Sequence, residues 1–270
     1  MAIVAVTGGT GQLGRLVVER LSREAHTVRV LTSGAPTGPG HGNQADVPGV
    51  QVVAGDLADL EQLSIALQGV DTVVHCASNP KDAQEVDVAG TSRLLDAMRR
   101  GGSGHLVYVS IVGVDDIPVT YYRAKWDAER LITDQEAVPW TIQRATQFHS
   151  FVADQVRSLA RLPVLPVPAA VRFQPVAARE VADRLVEHVA SGPRGRVADF
   201  GGPQVLSAKE LAQTYLQAVH RRRLVVRAPL PGRIGQAYRR GANLCPDHAD
   251  GRYTWEQFLA DDATAVRDAA

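Results

Sequence analysis

A glycine-rich turn close to the start of the chain constrains its fold more than any other feature. The turn has the sequence TGGTGQLG at residues 7–14 and follows an uninterrupted apolar run at residues 2–6. Such a run is typical of a parallel strand that is buried on both faces. Residues 15–22 then carry apolar side chains at helical spacing. A strand, a glycine turn and a helix in this order are typical of the opening of a dinucleotide-binding unit.

Each glycine of the turn has a predicted role. Gly8 permits the tight turn, Gly11 lets the backbone come close to a pyrophosphate, and Gly14 lets the helix pack on the strand. Backbone N–H groups and the positive end of the helix dipole then face the phosphates. The other turn residues assigned to the cofactor site are Thr10, Gln12 and Leu13. The alternative interpretation is an ordinary strand-to-helix turn.

Strands and helices alternate along the first half of the chain. Further strands are predicted at residues 28–31, 49–54, 72–75, 105–109 and 140–144, and helices at 60–67, 83–100 and 121–134. This order predicts an α/β fold, a Rossmann-type doubly wound parallel sheet, because right-handed crossovers place helices on both faces. The Gly- and Pro-rich stretch at 33–48 is predicted to be an exposed, mobile loop.

The alternation loosens after residue 145. The elements predicted there are a Pro-rich extended stretch at 161–175, a helix at 177–190, an edge strand at 197–201 and a helix at 207–220 that begins with a capping box of Ser207 and Glu210. We therefore predict a dinucleotide-binding core over residues 1–150, to which 173–202 return. Residues 151–172 and 203–270 are predicted to form a small C-terminal lobe on the substrate side.

Charge and cysteine content exclude several classes of protein. The 29 basic and 29 acidic residues give zero net charge, so no basic field attracts nucleic acid or an anionic membrane. Cys76 and Cys245 provide neither a disulfide framework nor the spacing of a metal site, which suits a reducing cytoplasm. The first strand begins at residue 2, and no apolar run approaches the length of a membrane span. We expect a cytoplasmic protein without a metal.

Ser110, Tyr121 and Lys125 form the predicted catalytic set. Tyr121 and Lys125 are four residues apart, so one helical face presents both. A phenol with an ordinary pKa of about 10 exchanges protons poorly at neutral pH, and a neighbouring ammonium is expected to lower that pKa. Ser110 ends a neighbouring strand and is expected to bond a substrate carbonyl. The alternative is that Tyr121 and Lys125 are surface residues of an ordinary helix.

Seven segments together resemble one family. They are TGGTGQLG at 7–14, GDL at 55–57, HCAS at 75–78, DVAGT at 87–91, YVSIVG at 108–113, YYRAK at 121–125 and WTIQR at 140–144. The chain resembles the short-chain dehydrogenase/reductase superfamily, and most of all its atypical NmrA-like NAD(P)H-binding group. The resemblance covers residues 1–150 closely and the remainder only through short segments.

The resemblance implies further site residues. It implies that Asp56 bonds the adenine, with Leu57 beside it, and that Lys125 also bonds the nicotinamide ribose. The other residues implied at the cofactor are Cys76, Ala77, Ser78, Ala145 and Thr146. Those implied at the substrate pocket are Ile111, Gln147, Phe148 and His149. His149 is predicted either to donate a proton or bind a substrate oxygen, or to be a pocket-wall or half-exposed histidine.

Two positions depart from the family pattern. At the end of the second strand an Asp would bond the ribose of NAD and an Arg would meet the 2′-phosphate of NADP. The chain has Thr32 and Ser33 there, and no carboxylate repels a phosphate, so NADP(H) is slightly preferred over NAD(H). Asp87 replaces the usual Asn of the NVxGT segment, so a proton relay that needs an amide is not supported there.

Two functions are consistent with these features. The first is an NAD(P)-dependent oxidoreductase that moves a hydride to or from a carbonyl, quinone or activated double bond of a small, largely apolar molecule. The alternative is a non-catalytic NAD(P)H-binding redox sensor that acts through a protein partner, with residues 33–48 and 161–175 as the segments that change. The Tyr121 and Lys125 pair beside Ser110 favours the enzyme, because a sensor needs no activated phenol.

Overall fold

The computed structural model describes residues 2–34 and 47–268 of the chain, so residues 35–46 of the predicted loop lie outside the described part. The strands are β1 Ile3–Thr7, β2 Thr27–Thr32, β3 Val50–Ala54, β4 Thr72–His75, β5 His105–Ile111, β6 Trp140–Ala145, β7 Val164–Pro168, β8 Arg172–Phe173, β9 Gly195–Arg196, β10 Leu206–Ser207 and β11 Leu224–Ala228. The α-helices are α1 Gln12–Arg23, α2 Leu60–Ala66, α3 Gly90–Gly101, α4 Thr120–Thr133, α5 His149–Leu159, α6 Ala178–Ser191, α7 Ala208–Ala218, α8 Gly232–Arg240 and α9 Trp255–Asp268.

Seven strands form one sheet in the order β3-β2-β1-β4-β5-β6-β9. The pairings of β1 with β2 and with β4 are parallel, and Val6 lies opposite Val30 on one side and Val74 on the other. The chain leaves β1 towards β2 and returns to β4, so the strand order reverses beside β1. In such sheets ligands bind outside the carboxyl ends of the strands at that reversal. The predicted Rossmann-type doubly wound sheet is confirmed.

Burial explains why the central strands read as continuous apolar runs. Val4, Ala5 and Val6 of β1 and Val73 and Val74 of β4 are all fully buried. A strand covered by helices on both faces needs apolar residues at every position, not at alternate ones. The ends of β1 and β4, where the polar residues begin, therefore mark the edge of the core.

The predicted helix at 83–100 differs from the observed one in its first turns. Residues Gln84–Ala89 form a π-helical segment, which leads into α3. A π-helix bonds i to i+5 and widens the turn by one residue, and such segments are frequent at functional sites. The segment contains Asp87, which it holds in a fully buried position.

The later chain corrects several predictions. The edge strand predicted at 197–201 is instead β9, and only the single bridge between Ala145 and Phe200 follows it. Gly195 has a φ of +67°, which is outside strand geometry and confines the pairing to two residues. Helices α5 and α8 and strand β11 were not predicted. The capping box at the start of α7 is confirmed, with the Glu210 carboxylate 2.7 Å from the Ser207 backbone nitrogen.

Two compact units divide the chain. The first contains Met1–Ser110, Thr120–Gln143 and Ala178–Val197, and the second contains Ile111–Val119, Arg144–Ala177 and Ala198–Ala270. The second unit pairs β7 with β11 in parallel and β8 with β10 antiparallel. Its apolar core includes Leu165, Leu211, Tyr215 and Trp255. That the residues at 151–172 and 203–270 serve the substrate side stays a prediction.

Candidate functional site

The glycine turn between β1 and α1 has the geometry of a phosphate-binding loop. Gly8 has a φ of +64°, and a Cβ added to it would lie 2.6 Å from the backbone nitrogen of Ala77. A Cβ on Gly14 would lie 2.2 Å from the carbonyl oxygen of Gly8. Helix α1 begins after Gly11, and among the described residues no side chain caps it. The turn therefore excludes side chains at Gly8 and Gly14, and such a turn is compatible with the close approach of a pyrophosphate.

The predicted adenine and ribose residues lie at the ends of two paired strands. Thr32 ends β2, and its hydroxyl accepts a hydrogen bond of 3.2 Å from the nitrogen of Gly34. Asp56 follows β3, and its carboxylate accepts a bond of 2.9 Å from the nitrogen of Ala58. Ser33 is exposed beside Thr32. Neither Thr32 nor Ser33 is the Asp or Arg that would distinguish NAD from NADP.

The residues after β4 lie against the end of β1. The nitrogens of Cys76 and Ala77 lie 3.2 and 3.3 Å from the carbonyl and the hydroxyl oxygen of Thr7. Burial raises the pKa of the Cys76 thiol to about 12, so this side chain is no thiolate at neutral pH. The predicted cofactor-lining segment is thus fixed to the end of β1 by one main-chain hydrogen bond and one hydrogen bond to the Thr7 side chain.

Tyr121 belongs to a chain of polar contacts that reaches a buried carboxylate. The Tyr121 hydroxyl lies 2.7 Å from the hydroxyl of Ser78, which in turn donates a bond of 2.7 Å to Asp87. The second carboxylate oxygen of Asp87 accepts a bond of 3.1 Å from the nitrogen of Asn79. The Nζ atom of Lys125 lies 3.7 Å from the carboxylate oxygen of Asp87 that accepts the bond from Ser78. The structure thus brings Ser78, Tyr121 and Lys125 together around Asp87.

The expected lowering of the Tyr121 pKa is wrong. Burial raises the pKa of Tyr121 to about 12; the Ser78 hydrogen bond opposes this shift and the Asp87 charge adds to it. Lys125 does not reverse it, because its ammonium donates a bond of 2.9 Å to the carbonyl of Val109 and pairs with Asp87. Burial in turn lowers the pKa of Lys125, and Asp87 is the largest opposing charge. The Lys125 charge is thus compensated by Asp87 and does not lower the pKa of the phenol.

Ser110 lies at the end of β5, where it was predicted, but its side chain has a different environment. The residue is 2% exposed, and its hydroxyl oxygen is buried without a hydrogen-bond partner among the described residues. Tyr108, two residues earlier, packs its ring 4.2 Å from the Lys125 ammonium. The structure therefore does not join Ser110 to the contacts of Tyr121.

The remaining predicted residues belong to the second unit. Thr146 donates a bond of 2.5 Å to the carbonyl of Gln174, and Ala145 bridges to Phe200. His149 begins α5 and is buried, with its ring centroid 5.3 to 6.0 Å from three aromatic rings. These rings belong to Tyr253, Trp255 and Phe258. The assignment of Ala145 and Thr146 to the cofactor, and of Ile111, Gln147, Phe148 and His149 to the substrate, stays a prediction.

Asp87 was missed as a site residue. The sequence marked it only as a departure from the family pattern, and it placed Ser78 at the cofactor and not on Tyr121. The signal available in the sequence was a pair of polar residues, Ser78 shortly after β4 and Asp87 shortly before α3. Their contact joins residues that are 9 positions apart, and the contact with Tyr121 spans 43.

Within residues 2–34 and 47–268, no helix combines the length and apolar composition that would cross a bilayer. In those same residues, no three His, Cys, Asp or Glu side chains lie together as a metal site.

Known proteins similar to this chain include several that bind nicotinamide cofactors. Residues 8–191 match a family described as NAD(P)H-binding. A (4-alkanoyl-5-oxo-2,5-dihydrofuran-3-yl)methyl phosphate reductase from Streptomyces griseus subsp. griseus is 30% identical over 214 residues, which are 77% of this chain and 71% of the relative. The NADPH-bound structure of an NADPH-dependent quinone oxidoreductase from Escherichia coli shares the fold, with a TM-score of 0.80 over 98% of this chain and 99% of that one at 17% identity.

Other relatives match a smaller part of their own length. A sterol-4-alpha-carboxylate 3-dehydrogenase, decarboxylating, from Mus musculus is 31% identical over 151 residues, which are 49% of this chain and 39% of the mouse protein. The chain spans from 19% to 51% of the length of several further curated relatives.

The fold and the glycine turn define a dinucleotide-binding protein of the Rossmann type, and the comparisons specify the family. The chain belongs to the NAD(P)H-binding family. It is an enzyme of the NAD(P)-dependent oxidoreductase class, as predicted. This assignment favours catalysis over the redox-sensor alternative.

Proposed function

We propose that the protein moves a hydride between a nicotinamide cofactor and a carbonyl, quinone or activated double bond of a small, largely apolar molecule. The observation that carries the proposal is the placement of Tyr121 and Lys125, one turn apart on α4, around the buried carboxylate of Asp87. A phenol that bonds a second hydroxyl beside a buried ion pair is equipped to exchange a proton with a substrate oxygen.

The cofactor proposal is supported by the fit of the glycine turn. Gly8 and Gly14 leave no space for a side chain, and no side chain caps the start of α1 in the described residues. Asp56 is proposed to bond the adenine, and Lys125 the nicotinamide ribose. When bound, the cofactor supplies or accepts the hydride.

The catalytic roles follow from the side chains of the first unit. Tyr121 is proposed to exchange the proton with the substrate oxygen; its pKa of about 12 keeps the phenol protonated at neutral pH, as a proton donor requires. Lys125 is proposed to hold the Asp87 carboxylate beside this phenol, because its ammonium lies 3.7 Å from that carboxylate. Ser110 is proposed to orient the substrate oxygen, and its buried hydroxyl lacks any other partner in the described residues.

We propose NADP(H) as the preferred cofactor. Thr32 and Ser33 place no carboxylate at the end of β2, so nothing there repels a 2′-phosphate. The quinone oxidoreductase from Escherichia coli that shares the fold carries NADPH in its structure. Calorimetry with NAD, NADH, NADP and NADPH tests this step: binding of NADPH more tightly than NADH supports it, and no binding below millimolar concentration overturns the cofactor proposal altogether.

The substrate class is tested by turnover. The Streptomyces relative is named as a reductase of an alkanoyl furanone phosphate, and the Escherichia coli protein as a quinone oxidoreductase. We would assay quinones, aldehydes, ketones and enones through the near-ultraviolet absorbance of the reduced cofactor. Tyr121→Phe is expected to lower kcat by about 10²- to 10⁴-fold with little change in cofactor affinity.

A neighbouring tyrosine provides the matched control. Tyr122 is the next residue of α4, and its ring meets that of Tyr121 edge-on at 6.3 Å between centroids. Tyr122→Phe removes the same atom from the adjacent position and is expected to keep most of the turnover. Full activity in Tyr121→Phe would remove this phenol from the mechanism.

A further inference from the structure

We infer that Ser78 and Asp87 form a proton route from Tyr121 into the protein, and that the resting site is organised to take a proton from an alcohol substrate. The inference deepens the proposed function and rests on its assignment of Tyr121 as the proton-exchanging residue. Ser78 and Asp87 act through Tyr121, so both are positioning residues rather than catalytic ones.

The direction of the hydrogen bonds follows from the chemistry of the three groups. The Ser78 hydroxyl donates a hydrogen bond of 2.7 Å to a carboxylate oxygen of the buried Asp87, and the Lys125 ammonium lies 3.7 Å from the same oxygen. The single proton of Ser78 therefore points to Asp87. The Ser78 oxygen must then accept the proton of Tyr121. The phenol is left with its lone pairs, and not its proton, available to a substrate.

This orientation suits the oxidation of an alcohol. The alcohol carbon transfers its hydride to the oxidised nicotinamide cofactor, and the hydroxyl proton moves to Tyr121. The phenolic proton moves to Ser78, and the serine proton moves to Asp87. The products are a carbonyl compound, the reduced cofactor and a neutral Asp87. The same route in reverse supplies the proton for reduction when Asp87 is protonated.

The neighbouring titratable groups do not replace Asp87 as the acceptor. They are His75 at the end of β4, Cys76 directly after it, Tyr108 on β5, and Lys125 and Glu129 on α4. Burial and the Lys125 charge lower the pKa of His75 to about 3, and both of its ring nitrogens are already hydrogen-bonded. Burial raises the pKa values of Cys76 and Tyr108, so neither ionises near neutral pH. Glu129 acts on Lys125 through its charge.

The relay has a signature that is independent of turnover. The charge of Asp87 raises the pKa of Tyr121. Removing that charge should therefore lower the pKa of the phenol.

The experiment titrates the Tyr121 phenol in cofactor-free protein through phenolate absorbance, with Tyr121→Phe subtracted as the blank. Asp87→Asn should move the titration to lower pH. In assays of alcohol oxidation Asp87→Asn and Ser78→Ala should both lower kcat by about 10²-fold, and Ser78→Thr should restore it. Ser64→Ala is the matched control, because the Ser64 hydroxyl bonds the carbonyl of Leu60 within α2.

The outcomes separate the relay from the proposed function. An unchanged phenol titration in Asp87→Asn, together with an unchanged kcat in Asp87→Asn and Ser78→Ala, overturns the relay, even if Tyr121→Phe is inactive. Full activity in Tyr121→Phe overturns the proposed function itself. If Asp87→Asn does not fold, the exposed Ser78 decides the question through the pair Ser78→Ala and Ser78→Thr.

Discussion

The Nδ1 atom of His75 lies 2.6 Å from the hydroxyl of Thr7 and ties the end of β4 to the end of β1. On the other side of the ring, Nε2 lies 3.0 Å from the hydroxyl of Thr91. Thr91 donates its own proton to the carbonyl of Asp87, so it must accept from the histidine. The proton of a neutral His75 is therefore on Nε2, and Nδ1 accepts from Thr7.

This neutral histidine makes the stability of the fold depend on pH. Burial lowers the pKa of His75 from 6.5 to about 3, so the unfolded chain binds the proton more readily. Stability is therefore complete above pH 6.5 and falls as the pH drops towards 3, by about 1.4 kcal/mol per pH unit for this one group. Urea unfolding at several pH values should show a shallower slope for His75→Gln. The comparison variant is His248→Gln, at a half-buried position. Parallel slopes for His75→Gln and the wild type would contradict the prediction.

Two glycines with the same backbone conformation separate strain from crowding. Gly8 and Gly69 both have a positive φ, but a Cβ on Gly8 meets the backbone of Ala77 at 2.6 Å, whereas one on Gly69 meets no described atom within 4 Å. Gly69→Ala should lower the free energy of unfolding by about 1 kcal/mol and leave dinucleotide affinity intact. Gly8→Ala should destabilise the chain more and abolish cofactor binding. Calorimetry and urea unfolding measure both; equal effects of the two substitutions would refute the role of the turn.

Lys125 and Asp87 should show strong coupling in stability. Both side chains are buried, and removal of one partner leaves the other charge without compensation. Lys125→Met is expected to lower the free energy of unfolding by about 3–5 kcal/mol. The double variant Lys125→Met/Asp87→Asn should recover much of that loss, because no charge then remains buried. A double-mutant cycle measured by urea unfolding tests this, and additive effects would show that the ion pair is not the cause.

Ser33 provides a test of cofactor preference. It is exposed at the end of β2, so a new side chain there does not disturb the core. Ser33→Asp should weaken NADPH binding at least about tenfold relative to NADH, because the carboxylate repels the 2′-phosphate and accepts a bond from a free ribose hydroxyl. Ser33→Asn has the same shape without the charge and should leave the ratio of the two dissociation constants nearly unchanged. An unaltered ratio of the two dissociation constants in Ser33→Asp would show that the 2′-position of the adenosine ribose does not lie beside residue 33.

The first unit was predictable because its signals are local. The apolar run of β1, the glycine turn and the periodicity of α1 all lie within the first 23 residues, and each element buries one continuous apolar surface. The second unit lacks such signals. Helix α5 places Phe151 in solvent, and β11 begins with the exposed Leu224, so apolar residues there do not mark the buried face.

The electrostatics of the site were not predictable from spacing. The i to i+4 separation of Tyr121 and Lys125 correctly placed both on one helix. The phenol pKa depends instead on burial and on Ser78, 43 positions away. Lys125 lies on the same helix as Tyr121 but does not lower the pKa of that phenol, because the Lys125 ammonium already pairs with Asp87 from another element.

The π-helical segment Gln84–Ala89 makes the position of the buried acid a matter of chain length as well as of residue type. A π turn holds one more residue than an α turn. Loss of a single residue such as Val88 would close the segment to regular helix and rotate Asp87 by about 100° relative to α3. An insertion or deletion of one codon can therefore present or withdraw a carboxylate beside Tyr121, which gives descendants of this chain a one-step change in acid–base chemistry without any substitution in the helix that carries the phenol.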